Sequence, residues 1–121
     1  MKINNKKTYV IEDNKGIQEV MKFQLEALGR KPVFFDNYEW TPTECGIYIC
    51  DYDIEGHTKN GGAWVNKHYK MLSHSSIIAT SGNLESWVEE GIDGLIYLPK
   101  PADMRTLLAV LLSAENKYNG V

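Results

Sequence analysis

The 121-residue sequence predicts an α/β domain in which helices cover both faces of a parallel sheet. Three observations point there. Five short apolar runs alternate with stretches of helical spacing from one end of the chain to the other, with no linker or repeat between them. The runs are apolar along their whole length rather than at every second residue, which suits strands buried on both faces. Acids, hydroxyls and a lysine stand at the carboxyl ends of these runs, where open parallel sheets bind their ligands.

Each element has its own signal. Thr8-Tyr9-Val10-Ile11 ends in acid and reads as the first strand. Ile17, Val20, Met21, Leu25 and Leu28 recur at helical spacing, and Gly29 supplies the stop. Pro32-Val33-Phe34-Phe35 is the second strand. From Asp36 to Gly46, Pro42 and weak periodicity leave room for at most a turn or two of helix. Ile47-Tyr48-Ile49-Cys50 forms the third strand and runs into Asp51. A polar loop holding Gly56, Gly61 and Gly62 follows, and Trp64, Val65, His68 and Leu72 then mark one helical face. Ile77-Ile78-Ala79-Thr80 is strand four. Leu84, Trp87 and Val88 make a short helix closed by Gly91, and Leu95-Ile96-Tyr97-Leu98 is strand five. Met104, Leu107, Leu108 and Leu111 face inward from a last helix before a polar tail, Glu115 to Val121. This βαβαβαβαβα order is that of a doubly wound sheet.

Bulk composition narrows the function. An apolar share of 43% and a charged share of 24% are those of an ordinary globular domain, and residues 1–121 fit one such unit. A net charge of −3 argues against direct nucleic-acid binding or a membrane-binding stripe. No run approaches the roughly 20 apolar residues that span a bilayer. Met1 to Lys7 lacks the apolar centre of a signal peptide, so the expected location is cytoplasmic. Cys45 and Cys50 are then expected as free thiols, since their spacing from His57, His68 and His74 fits no zinc pattern. Core packing or partner contact would each explain Trp40, Trp64 and Trp87.

At the strand ends stand Glu12 and Asp13, then Asp51 and Asp53, then Thr80 and Ser81, and finally Lys100 with Pro101. Crowded carboxylates raise one another's proton affinity, and a hard divalent cation removes that cost. A lysine and a hydroxyl beside them complete what phosphoryl transfer needs. Singly, each residue has a plainer reading: Asp13 or Asp53 as a helix cap, Ser81-Gly82 as a turn, Lys100 as a solvated strand stop. Their joint occurrence at one edge, in consecutive units, separates the two readings.

This ordered set resembles the receiver domains of two-component signalling, and the resemblance covers essentially the whole chain. It implies a flavodoxin-like fold with strand order 2-1-3-4-5 and Asp51 as the phospho-acceptor. It further implies Mg²⁺ held by Asp13, Asp51 and the backbone carbonyl of Asp53, with Glu12 acting through water. Ser81 matches the hydroxyl that binds the phosphoryl oxygens, with Thr80 as the alternative one register away. Tyr97 matches the aromatic switch, Lys100 the phosphoryl-binding lysine, and Gly61 the family's loop glycine. The Lys100-Pro101 step matches one whose peptide is typically cis. Two intervals are short, implying a shrunken or missing second helix and a stunted fourth. The implied donor is a sensor histidine kinase or histidine phosphotransfer protein, and the implied receiver of the signal is an output domain or a homodimer partner. Such a domain is no enzyme beyond its own phosphorylation and dephosphorylation.

Two rival readings stand beside this one. Asp51-Tyr52-Asp53 resembles the Asp-x-Asp of haloacid-dehalogenase-type phosphatases, although only Asp103 follows Lys100 and Glu12-Asp13 is left unexplained. A pseudo-receiver would keep the fold and signal without phosphate.

Overall fold

The computed structural model describes residues 7–54 and 60–119. Along the chain run β1 (Thr8–Ile11), α1 (Lys15–Ala27), β2 (Pro32–Phe35), β3 (Ile47–Asp51), α2 (Gly61–Lys67), β4 (Ser76–Ser81), α3 (Glu85–Glu89), β5 (Ile96–Pro99) and α4 (Met104–Asn119). The strands form one sheet in the order β2-β1-β3-β4-β5, and every pairing is parallel. The doubly wound sheet is therefore as expected, including its strand order.

Strand alternation deals the side chains to two cores. Val10, Ile49, Ile78 and Leu98 face Met21 and Leu25 of α1 and Leu107, Val110 and Leu111 of α4. Tyr9, Tyr48, Cys50, Ile77 and Ala79 face Trp64 and Val65 of α2 and Trp87 of α3. Both faces of β3 are covered, and Ile47 to Cys50 are fully buried. Each such aliphatic side chain contributes roughly 2 kcal/mol of burial.

Local chemistry sets the helix ends. The Asn14 side chain accepts the Ile17 N–H at 3.0 Å and starts α1, while Gly29 (φ +82°) turns the chain out of it. Asn60 caps α2 through the Ala63 N–H at 2.8 Å, and Asp103 accepts the Thr106 N–H at 2.8 Å at the head of α4.

Of the two outcomes expected for the second helix, shrunken or missing, the structure has the latter: residues 36–46 hold bends, a turn and irregular chain but no helix. Other elements depart from expectation. Gly61 and Gly62 open α2 instead of lying in the loop, because the Asn60 cap starts the helix before them. That helix ends at Lys67, and turns carry Leu72 into the core. Val20 and Leu108, expected inward, are 57% and 42% exposed. Met21, Gln24 and Leu25 are the buried residues of α1, and Leu107, Val110, Leu111 and Ala114 those of α4 among the described residues, so each neighbour falls just off its stripe. β4 gains a residue at each end, β5 lies one residue later than expected, and α4 continues to Asn119 through the expected polar tail. Glu115 within it pairs with Arg30. Trp64 and Trp87 are core residues, whereas Trp40 is 78% exposed. Gly56 and His57, residues 1–6 and residues 120–121 lie outside the described residues. Among those described, no helix is long and apolar enough to cross a membrane.

Candidate functional site

The sheet order brings the ends of β1 and β3 side by side. Ile11 pairs with Cys50, so Glu12 and Asp51 emerge from neighbouring strands at one level. The Glu12 N–H still bonds the Phe35 carbonyl at 3.0 Å, which holds this residue in the strand direction with its side chain buried. Lys100 follows β5, and its N–H donates to the Ser81 carbonyl at 3.2 Å. From there its Nζ lies 2.5 Å from Glu12 Oε1 and 3.0 Å from Asp51 Oδ2.

Carboxylate oxygens of Glu12, Asp13 and Asp51 lie within 4.8 Å of one another. They line an open depression of about 600 Å³ together with the N-terminal turn of α1 and Lys100. Burial, reinforced by the Glu12 charge and opposed by Lys100, pushes the Asp51 carboxyl up to about 7. For Lys100, burial lowers the proton affinity, but bonding to Glu12 and the Asp51 charge outweigh it and leave the ammonium held above its usual range. Buried Glu12 Oε1 meets Lys100 as an ion pair but meets no donor in hydrogen-bonding geometry. One ammonium thus bridges two buried carboxylates, with that of Asp13 beside them. This all-oxygen donor set fits a hard divalent cation such as Mg²⁺, which takes two or three protein oxygens and keeps waters for the rest.

The other predicted residues lie at the rim or beyond it. Asp53 is exposed, and its carboxylate is outside the cluster. Thr80 is buried opposite Asp51 in the β3–β4 register. Ser81 is also buried, and its Oγ accepts the Asn83 N–H at 3.0 Å. Tyr97 on β5 pairs with Ala79 of β4 and is 39% exposed. The Lys100–Pro101 peptide is cis.

Sequence reasoning missed two contacts. The buried hydroxyl of Tyr38 donates to the Asp51 carbonyl at 2.5 Å. The Trp87 indole N–H donates to the Thr80 carbonyl at 3.0 Å, an oxygen that also accepts the Tyr52 N–H at 3.1 Å. No periodicity marks Tyr38, whereas the helical position of Trp87 signals burial but not its acceptor.

The sequence matches no protein-family model and no curated protein. Solved structures do match. A response regulator receiver domain protein from Clostridium thermocellum superposes with a TM-score of 0.73 at 21% identity, covering 94% of this chain and 97% of that one. A CheY-like receiver domain from Methylobacillus flagellatus gives 0.71 at 22% identity, over 91% and 98%. A Burkholderia pseudomallei response regulator, solved with a phosphorylated aspartic acid, a calcium ion and citrate, gives 0.71 at 20% identity, over 96% and 72%. The chain has the receiver fold. In that fold α1 and α4 share one face of the sheet, and the carboxylate cluster opens beside the first turn of α1. The five-residue α3 is all the helix this receiver fold has between β4 and β5.

Proposed function

We propose that the chain is one receiver domain, residues 1–121, that accepts a phosphoryl group on Asp51 and signals by a change of shape. The observation that carries this reading is Lys100 Nζ held between Glu12 and Asp51, with Asp13 completing the carboxylate cluster. The phosphorylated aspartic acid and calcium ion of the Burkholderia pseudomallei response regulator support it. The donor is a phosphohistidine on a sensor kinase or phosphotransfer protein.

In the transfer, an Asp51 carboxylate oxygen attacks phosphorus, the P–N bond to the donor imidazole breaks, and the imidazole leaves with the bond's electron pair. Asp13, Asp51 and the Asp53 carbonyl would hold Mg²⁺, with Glu12 acting through water, and the bound cation would supply positive charge to the phosphoryl oxygens. Lys100 is placed to leave its carboxylate partners for those oxygens. Ser81, or Thr80 beside it, supplies a hydroxyl hydrogen bond. In Ser81 the oxygen already accepts the Asn83 N–H, and the hydroxyl hydrogen is what it would donate to the phosphoryl group. Tyr97, at the surface three residues before Lys100, then turns inward and changes the face that an output domain or a second copy reads. The phosphatase reading has no comparable support, because it gives no role to Glu12, which is buried and paired with Lys100 in the same cluster.

Incubation with acetyl phosphate and Mg²⁺, followed by intact mass, tests the reading. One added phosphoryl group is expected on the wild type and none on Asp51→Asn. Persistent labelling of Asp51→Asn at another residue would overturn it.

A further inference from the structure

We propose that Tyr38 is a positioning residue for the phospho-acceptor: its hydroxyl fixes the main chain from which the Asp51 carboxylate projects. The inference rests on the reading of Asp51 as the acceptor.

Successive main-chain groups of a strand face opposite neighbours. The Tyr52 N–H faces β4, where it bonds the Thr80 carbonyl, so the Asp51 carbonyl faces β1. There the ladder has ended, with Ile11 opposite Cys50. A buried carbonyl without a donor is costly. Tyr38 supplies the donor at 2.5 Å from the helix-free segment between β2 and β3. Its ring centre lies 5.2 Å from that of Trp64 in the core.

Two further features focus on this bond. A Cβ on Gly61 would stand 2.6 Å from the Asp51 carbonyl oxygen and 2.8 Å from the Tyr38 hydroxyl, so only a bare Cα fits beside them. The Gly61 N–H in turn donates to the Tyr52 carbonyl at 2.8 Å. The Asp51-Tyr52 segment is thus clamped by β4, by the head of α2 and by Tyr38. Only the Tyr38 clamp comes from a side chain. A phenylalanine would fill the same space, so core packing alone does not account for the buried hydroxyl.

The test compares initial rates of phosphoryl uptake from acetyl phosphate across a Mg²⁺ series, well below the unfolding temperature. Three proteins are needed: wild type, Tyr38→Phe, and Trp64→Phe, which loosens the same ring stack but keeps the hydroxyl. Loss of one hydrogen bond sets the scale, so Tyr38→Phe should take up phosphate about tenfold more slowly. Trp64→Phe should lower the unfolding midpoint yet keep its rate within about twofold of the wild type. Equal rates for wild type and Tyr38→Phe overturn the proposal, and so do equal losses in the two variants, which would mean packing alone. A wild type that takes no phosphate instead overturns the acceptor reading, and the inference with it. Should Tyr38→Phe not fold, NMR on the wild type decides: Mg²⁺ should shift the Tyr38 hydroxyl and Asp51 carbonyl resonances, and resonances that stay put overturn the proposal.

Discussion

Asp51 illustrates how position changes the chemistry of a residue. An unfolded chain gives up this proton near pH 4, whereas the folded, metal-free site holds it up to about 7. Between those values the native state binds more protons than the unfolded one, so stability falls as pH rises. Lys100 shifts upward too, but its effect is lost only above the ordinary lysine range and leaves this window untouched. With a chelator present, the unfolding temperature should therefore drop between about pH 4 and about pH 7. Mg²⁺ should reverse much of the drop, and Asp51→Asn should flatten it; a rising profile in the chelated wild type would contradict the site's electrostatics. Lys100→Ala removes the ammonium shared by two buried carboxylates and should cost about 3 kcal/mol at neutral pH without metal, read by urea titration. Less loss is expected with Mg²⁺ present. The charged residues were legible because each ends an apolar run. Tyr38 was not: it reaches across to a carbonyl thirteen residues ahead from a segment with no repeating pattern.

At the level of elements, the ends of α2 and α3 show where local preference yields to contact. Alanine is the better helix former than glycine by about 1 kcal/mol, and Gly61 sits in the first turn of α2. Yet an added methyl would meet the Asp51 carbonyl at 2.6 Å and the Trp87 ring at 2.7 Å, neither of which can swing aside. Crowding of this kind costs about 1–3 kcal/mol, so Gly61→Ala should be net destabilising in a denaturant titration. An unchanged or raised midpoint would show that the loop shifts without cost. The five-residue α3 is too short to persist alone. It is tied down by the Trp87 indole bond and by Glu90, which accepts from the Tyr52 hydroxyl at 2.7 Å. Trp87→Phe leaves the Thr80 carbonyl with one donor fewer and a partly empty pocket. Amide exchange across residues 85–89 should accelerate more than that across α4. Leu84, Trp87 and Gly91 were enough to locate this helix in the sequence. Helix spacing could not show that α2 begins at Gly61, because glycine carries no apolar signal and the decisive Asn60 cap resembles any turn asparagine.

For the whole molecule, the order of the strands followed from resemblance, and the coverage of both faces followed from runs apolar along their entire length. What stayed hidden is how the sheet manages without a helix between β2 and β3. The answer is aromatic: Tyr9 stacks on Tyr48 at 5.0 Å, Tyr48 meets Trp64 at 5.7 Å, and Trp64 meets Tyr38. Rings read as generic apolar residues in a one-dimensional pattern, so nothing in the chain announces that they substitute for a helix. With beryllofluoride and Mg²⁺, NMR shift changes should concentrate at residues 81–100, and Lys100→Ala should respond more weakly than the wild type. Equal responses would place the signal on another route.

The distribution of the three indoles has an optical consequence. Trp64 and Trp87 sit in the interior, where emission is blue-shifted and shielded from an aqueous quencher, whereas Trp40 stands in solvent. Iodide should therefore extinguish a red-shifted fraction and leave the remainder. Trp87 lies edge-on to Tyr52, with ring centres 5.3 Å apart, and Tyr52 is the residue after Asp51. Its quantum yield is thus poised to report events at the acceptor with no added dye. Stopped-flow emission after mixing with a phosphodonor should follow uptake in real time, and Trp40→Phe should sharpen that change by removing the constant background.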